Sequence, residues 1–165
     1  MNRLKHNIFI FAILLLLILP SLVFGDSDEE SLRGIKGFNV SVEEFDPELE
    51  RDGLTIGLIQ TDIELKLRMA GIKVLPEGEL FKEPGMPYLY ILVNGKKLIN
   101  MNEYVYNINV LVYQNALLIR NKEQYSVQTW DTSLIGGSPD IQDIRQSIKD
   151  LMDDFLADYL SVNPK

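Results

Sequence analysis

Cysteine is absent from this chain of 165 residues, and histidine occurs only once, at His6. Nucleophilic catalysis of the Ser-His-Asp or Cys-His kind requires these side chains, and so do structural zinc sites, blue-copper sites and iron–sulfur clusters. Without cysteine the chain also forms no disulfide, so its fold depends on a hydrophobic core. We therefore expect a non-enzymatic protein and assign no catalytic, cofactor-binding or metal-binding residues.

The first 25 residues have the order of a secretory signal peptide. Two basic residues, Arg3 and Lys5, precede twelve unbroken apolar residues at 8–19, and Pro20 interrupts that run before Gly25. The run is shorter than the ~20 residues of a membrane-spanning helix, although an uncleaved anchor remains the alternative. We expect cleavage between Gly25 and Asp26, export to the periplasm or beyond, and no stable membrane span in the mature chain.

Basic side chains are scarce in comparison with acidic ones. The whole chain has 16 Lys and Arg against 24 Asp and Glu, a formal charge of −8. Loss of the signal removes two basic residues and no acidic one, which leaves 14 against 24 and a charge of −10. Such a surface repels phosphate backbones and anionic lipid head groups. Nucleic acid is therefore not an expected partner, whereas a basic protein or a cation is compatible.

The mature chain divides into a leader and one domain. Residues 26–36 are charged and show no periodicity, which predicts a flexible acidic leader. Apolar spacing of three and four residues predicts amphipathic helices over 54–70 and 141–159. The second helix is expected to follow an N-cap at Ser138. We assign residues 37–163 to a single α+β domain.

Alternation of apolar and polar residues predicts the strands of this domain. Asn94-Gly95 is the pair best suited to a tight hairpin turn. Pro and Gly indicate loops over 76–86 and 132–138. The predicted strands cover residues 38–42, 72–75, 88–93, 104–112 with 116–119, and 125–130.

The order of these elements, β-α-β-β-β-β-α, predicts the architecture. Hairpin-length connections favour an antiparallel meander, and each amphipathic helix needs an apolar surface to cover. A single antiparallel or mixed sheet of about five strands, with both helices packed on one face, meets both requirements.

The C-terminal helix has an acidic edge that is a candidate for partner binding. Asp150, Asp154 and Asp158 recur every fourth residue, Asp153 adds to them, and only Lys149 lies close enough to relieve the repulsion. Like charges here, near the negative end of the helix dipole, cost a few tenths of a kcal/mol each. The edge is either a solvated face or a docking edge for a basic partner or Ca²⁺.

Two predicted strands carry amides and aromatic rings on the face expected to point away from the helices. Such side chains suit stacking and hydrogen bonding to a glycan or an extended peptide. The alternatives are that the Trp fills the rim of the core and that the Asn residues are ordinary exposed strand positions. The candidate residues of this ligand face are Asn107, Asn109, Tyr113, Gln128 and Trp130.

Carboxylates are the remaining candidates for catalysis. A pair of them across a cleft, about 5–9.5 Å apart, is all that a glycosidase requires. In an acidic chain, single carboxylates are typical of solvated surface. The possible members of such a pair are Glu43, Glu44, Glu64, Asp131 and Asp140.

Three runs of sequence support a resemblance. Residues 87–90 (PYLY), 129–132 (TWDT) and 150–160 (DLMDDFLADYL), together with the signal peptide, resemble a group of short exported bacterial proteins. The resemblance implies no activity. We expect an exported accessory domain that binds another envelope protein. The alternatives are a glycan- or peptide-binding module that uses the outer sheet face and, more remotely, a carboxylate-only hydrolase.

Overall fold

A computed structural model describes residues 28–164. The predicted signal peptide and the expected cleavage site at Gly25 and Asp26 lie outside the described residues. The described chain forms one five-stranded sheet with four helices, which confirms the predicted α+β class. The strands are β1 Gly37–Val42, β2 Lys73–Val74, β3 Tyr88–Leu98, β4 Glu103–Leu117 and β5 Gln124–Ser138. The helices are α1 Pro47–Arg51, α2 Ile56–Met69, α3 Glu77–Leu80 and α4 Ile141–Val162.

The sheet is mixed, with the strand order β2-β1-β3-β4-β5. β1 runs parallel to both of its neighbours, and β3, β4 and β5 form an antiparallel meander. The β2 pairing is short, because it joins only Gly37 to Lys73 and Phe38 to Val74. Leu75 and then Pro76, which has no N–H to donate, follow β2, and Pro76 leads into α3.

The core lies between one face of the sheet and the two long helices. α2 contributes Ile59, Ile63 and Leu67 from its predicted stripe, and Thr55 caps its N-terminus. α4 contributes an apolar face over its full length, capped by Asp140 rather than by Ser138. Phe155 of α4 is fully buried among aromatic rings of the sheet and of its own helix.

The leader is packed against the domain in its described part, contrary to the prediction of flexibility. Residues Asp28–Leu32 form a 3-10 helix that contacts α4 and β5, and Leu32 is completely buried. Ser31 Oγ donates to the Thr129 carbonyl, and Asn163 Nδ2 donates to the Leu32 carbonyl. The segment is mostly charged, so its composition does not show that Leu32 is a buried apolar contact.

Two glycine-containing segments predicted as turns are strand instead. β3 runs through Asn94-Gly95, and the turn falls at residues 99–102. At Gly95 an added Cβ would lie 2.9 Å from Leu49 Cδ1. The absence of a side chain at this position therefore allows Leu49 of α1 to pack against the sheet. Residues 132–138 belong to β5, where a Cβ on Gly136 would lie 2.7 Å from the Tyr106 ring. Both glycines therefore serve close packing rather than chain reversal.

Candidate functional site: the outer sheet face and its edge groove

The outer face of the sheet is the face opposite the two long helices. On β3 and β4, buried residues alternate with partly exposed ones, as the patterns of both strands show. The buried set includes Leu89, Ile91 and Val112, so their immediate neighbours in sequence point outward. The outward residues are tyrosines, leucines and amides, among them Tyr88, Tyr90, Leu92, Asn107, Asn109, Leu111 and Tyr113.

Three of these residues form a tyrosine cluster, composed of Tyr88, Tyr90 and Tyr113. The rings of Tyr88 and Tyr113 stack with centroids 5.2 Å apart and planes within 7° of parallel. Tyr90 meets both rings edge-on, at 6.5 Å from Tyr88 and 6.1 Å from Tyr113. Such pairs stabilise each other by about 0.5–1.5 kcal/mol beyond area burial. The cluster is therefore a preformed aromatic platform.

Tyr90 is also held at its hydroxyl. Tyr90 Oη donates a hydrogen bond to the Glu43 carboxylate at the end of β1. That bond, together with burial and the negative charge of Glu43, raises the pKa of Tyr90 to about 12. Tyr88 Oη lies 3.4 Å from Ser126 Oγ on β5. The platform is thus tied at both sides, to β1 and to β5.

The predicted amides lie on the same face. Asn109 Nδ2 donates to Asn107 Oδ1 at 2.7 Å, and Asn107 Nδ2 donates to the Leu134 carbonyl at 3.3 Å. Gln128 lies opposite Tyr113 in the register, and its Nε2 donates to Asp131 Oδ1 at 2.7 Å. The structure therefore brings Asn107, Asn109, Tyr113 and Gln128 to one face, as the sequence predicts.

Trp130 does not belong to this face: its assignment to the ligand face is wrong, and the alternative, a Trp side chain that fills the core, is correct. The β4–β5 register shifts between Val112 and Tyr113, so that Trp130 pairs with Val112 and Gln128 with Tyr113. This bulge leaves Thr129 as an extra residue and turns Trp130 toward the helices. The Trp130 side chain is buried, meets Phe155 edge-on at 5.2 Å, and donates from Nε1 to Asp158. It fills the core, and the tyrosine cluster supplies the aromatic surface.

The four Asp residues of the acidic edge of α4 have different surroundings. Asp153 forms an ion pair with Lys66 of α2, whereas Asp158 accepts the Trp130 N–H on the β5 side. Asp150 accepts from Gln146 within the helix, and Asp154 is exposed. The four carboxylates therefore do not converge on one point.

A groove adjoins the tyrosine cluster at the edge of β1. It has a volume of about 770 Å³, within the range of ligand-binding sites. α2 lines one side with Gln60, Glu64 and Arg68. The opposite side has Leu80 and Phe81, the latter 72% exposed. Tyr88 and Tyr90 line the groove as well as the cluster, so the two features form one continuous surface.

The α2 side of the groove is a chain of hydrogen bonds. Gln60 Nε2 donates to Glu64 Oε1 at 3.0 Å, and Arg68 Nη2 donates to Glu64 Oε2 at 2.7 Å. These three residues stand four apart, which places them on one side of the helix. Glu64 is therefore held in place by both of its neighbours.

The five carboxylates considered for catalysis have separate positions. Of these, only Glu64 lines the groove. Asp140 caps α4, Asp131 binds Gln128, Glu43 binds Tyr90, and Glu44 is exposed. Within the described range, no three or more Asp, Glu, His or Cys residues are grouped so that they could hold a metal ion.

Tyr88 and Tyr90 are the site residues that the sequence prediction missed. They lie in a run that is apolar at nearly every position, and such a run does not show by itself which side chains face outward. Their alternation with Leu89 and Ile91 was the available signal, since it places both rings on the same face as Tyr113.

Comparison with known proteins adds no family assignment, since no protein-family model and no curated protein matches the chain. Between residues 28 and 164, the chain has no helix that is both long enough and apolar enough to cross a membrane.

Proposed function

We propose that this protein is an exported, non-enzymatic binding domain of the bacterial envelope, and that it contacts a partner protein through its outer sheet face. The observation that carries the proposal is the tyrosine cluster. Three rings are fixed on a face that no helix of the described residues covers, and they continue into a groove. Tyrosine is enriched at protein interfaces because it offers a large apolar surface with a polar tip.

The distribution of charge supports the same surface. The mature chain carries −10, yet the centre of the outer face consists of Tyr, Leu and Asn. Interface cores are depleted of charged residues and enriched in aromatic ones. The centre of the outer face therefore has the composition of an interface core.

Affinity purification of the tagged full-length protein from envelopes tests the proposal. Tyr113→Ala opens the stacked pair without reaching the core, and we expect it to reduce the retained partner by roughly tenfold, as for an interface hot spot. Ile119→Ala alters a side chain that is 85% exposed outside the cluster, and it should retain the partner like the wild type.

The outcomes of this purification separate the hypotheses. Equal retention by wild type and Tyr113→Ala contradicts binding through the tyrosine cluster. Retention of polysaccharide in place of protein, lost in Tyr113→Ala, replaces the protein partner with a glycan and overturns the proposed partner class.

Export is proposed from residues 1–25 and has its own test. Mass spectrometry of the protein recovered from cells should give a mature N-terminus at Asp26. Recovery of the chain with residues 1–25 intact in the membrane fraction would show the alternative, a retained anchor.

A further inference from the structure

The groove lies beside the edge of β1 that faces away from β3, beyond the point where β2 ends; among residues 28–164 no other strand pairs with that edge. The pairing of β1 with β2 ends at Phe38 and Val74, and the Leu75 N–H makes a last bond to the Phe38 carbonyl. The next acceptor in line, the Leu75 carbonyl, is occupied by Asn39 Nδ2 at 2.9 Å. β1 continues for four more residues, through Val42.

The alternation of the ladder fixes which backbone groups face the groove. Asn39 and Glu43 donate their N–H groups toward β3, to the carbonyls of Pro87 and Ile91. Val40 and Val42 therefore present their N–H groups on the opposite side, together with the Val40 carbonyl. In the described part of the chain no strand pairs with them there. An open strand edge of this kind is a template for another strand.

The charge of the groove identifies the kind of strand that fits it. Arg68 is already bound to Glu64, whereas Glu77, also in the lining, makes no ion pair among the described residues. Glu43, beside Tyr90, likewise binds only a neutral hydroxyl. Among the described residues that line the groove, Glu77 is therefore an uncommitted carboxylate and no cation is uncommitted, and the Glu43 carboxylate lies next to the groove at Tyr90. Opposite charge on the incoming segment both steers and orients it.

We infer that the partner's contacting segment is an extended polypeptide with basic side chains, which adds as a strand to the β1 edge. Its main chain bonds the free groups of Val40 and Val42. Its apolar side chains rest on Phe81 and Tyr88, and its Lys or Arg residues face Glu77 and Glu43. This is strand addition, in which the backbone supplies affinity and alternate side chains supply specificity. The inference rests on the proposed function, since it specifies how part of the partner binds.

A random dodecapeptide display library is the probe, selected against the purified product of the full-length gene. We expect the enriched peptides to carry more Lys and Arg than Asp and Glu, and to lack internal Pro. A synthetic peptide from this set is then measured by fluorescence polarisation. Two versions of the peptide are compared, one N-methylated at its odd-numbered residues and one at its even-numbered residues. One version should bind roughly tenfold more weakly than the other, because only one set of backbone N–H groups donates to the β1 edge.

Variants of the protein locate the peptide. Phe81→Ala removes an exposed wall of the groove at no cost to the core, and should weaken binding about fivefold, whereas Ile119→Ala should not change it. Glu77→Gln should weaken binding by about threefold at low salt and by less at high salt.

Several results would overturn the inference. These are a selection that enriches no peptide, enrichment of acidic peptides, equal binding of both N-methylated sets, or a dimer of this protein that Phe81→Ala dissociates. If any of these occurs while Tyr113→Ala still loses the envelope partner, strand addition is wrong and binding through the tyrosine cluster stands.

Discussion

Asp62 joins the two long helices through two cations. Its carboxylate accepts from Arg145 at 2.7 and 3.0 Å and lies 3.3 Å from Lys149 Nζ. The Arg145 guanidinium in particular, with a smaller effect of Lys149, holds the pKa of the Asp62 carboxyl below its ordinary value, although partial burial opposes this. The side chain is 17% exposed, so solvent screens the bridge only in part.

Asp62→Asn should therefore lower the free energy of unfolding at neutral pH by about 1–2 kcal/mol, between the values for exposed and buried pairs. Because the folded pKa of Asp62 is depressed, its contribution is present above about pH 4 and is lost as the pH falls through the folded pKa. Urea unfolding between pH 2 and 7 should thus show a shallower acid limb in the variant. Glu30→Gln, which breaks the exposed Arg33 pair, is the control and should change stability by less than about 0.5 kcal/mol.

The Tyr90–Glu43 hydrogen bond makes a second prediction for single residues. Titration by ultraviolet absorbance should show one phenol with a pKa of about 12 that disappears in Tyr90→Phe. Glu43→Gln should bring this pKa down toward 10, because the neutral amide removes both the carboxylate acceptor and its charge.

The sign of the linkage follows from the raised pKa. The bond stabilises the fold fully below about pH 10, and this stabilisation is lost as the pH rises toward 12. Tyr125→Phe, which removes an exposed phenol near the start of β5, should leave the Tyr90 transition in place. An unchanged transition in Glu43→Gln would contradict the contact.

At the scale of elements, the segment before β1 is part of the packed structure. Leu32→Ala should lower the free energy of unfolding by about 2–4 kcal/mol, since it empties a fully buried site. Leu65→Ala is the matched control, because Leu65 is 53% exposed on α2, and its cost should stay within about 0.5 kcal/mol. If denaturant unfolding shows the same loss of stability for Leu32→Ala and Leu65→Ala, the segment before β1 is flexible and not packed.

Substitution by alanine should change stability in opposite directions at Gly136 of β5 and Gly57 of α2. Gly136→Ala places a Cβ against the Tyr106 ring and should destabilise the fold by about 1–3 kcal/mol, as overpacking does. Gly57→Ala meets nothing within 4 Å in the first turn of α2 and should stabilise the fold by about 0.4–1 kcal/mol. Thermal unfolding of both variants checks the pair, and a destabilising Gly57→Ala would contradict the open space seen at that position.

The elements differ in how much of them local sequence determines. Both long helices are predictable, since their apolar stripes alone specify which side is buried. The strand conformation of Asn94-Gly95 is not predictable from local sequence, which favours a turn there. The glycine at position 95 leaves room for Leu49, a residue distant in sequence. The position of Trp130 depends on a bulge in the β4–β5 pairing, and strict alternation along one strand cannot show an extra residue.

The candidate site is predictable only in part for the same reason. Period-two alternation places Asn107, Asn109 and Tyr113 on the outer face. The groove, in contrast, arises where segments remote in sequence meet, namely β1, α2, the region of α3, and β3. No local pattern in the chain marks their meeting.

At the scale of the whole molecule, one sheet separates two surfaces of different character. The helical side has the buried core and an acidic helix, and the other side presents a neutral aromatic face. We expect binding to use the second surface. The acidic edge of α4 is the competing surface, since its Asp150 and Asp154 are exposed.

Photo-crosslinking in living cells tests this choice most directly. Benzoylphenylalanine is placed at Tyr113 in the tyrosine cluster, at Ala157 on the exposed side of α4, and at Ile119 as a control. If binding uses the tyrosine cluster, we expect a discrete adduct with one partner from position 113 and none from positions 157 or 119. An adduct from position 157, with none from position 113, would contradict it and assign binding to the acidic helix.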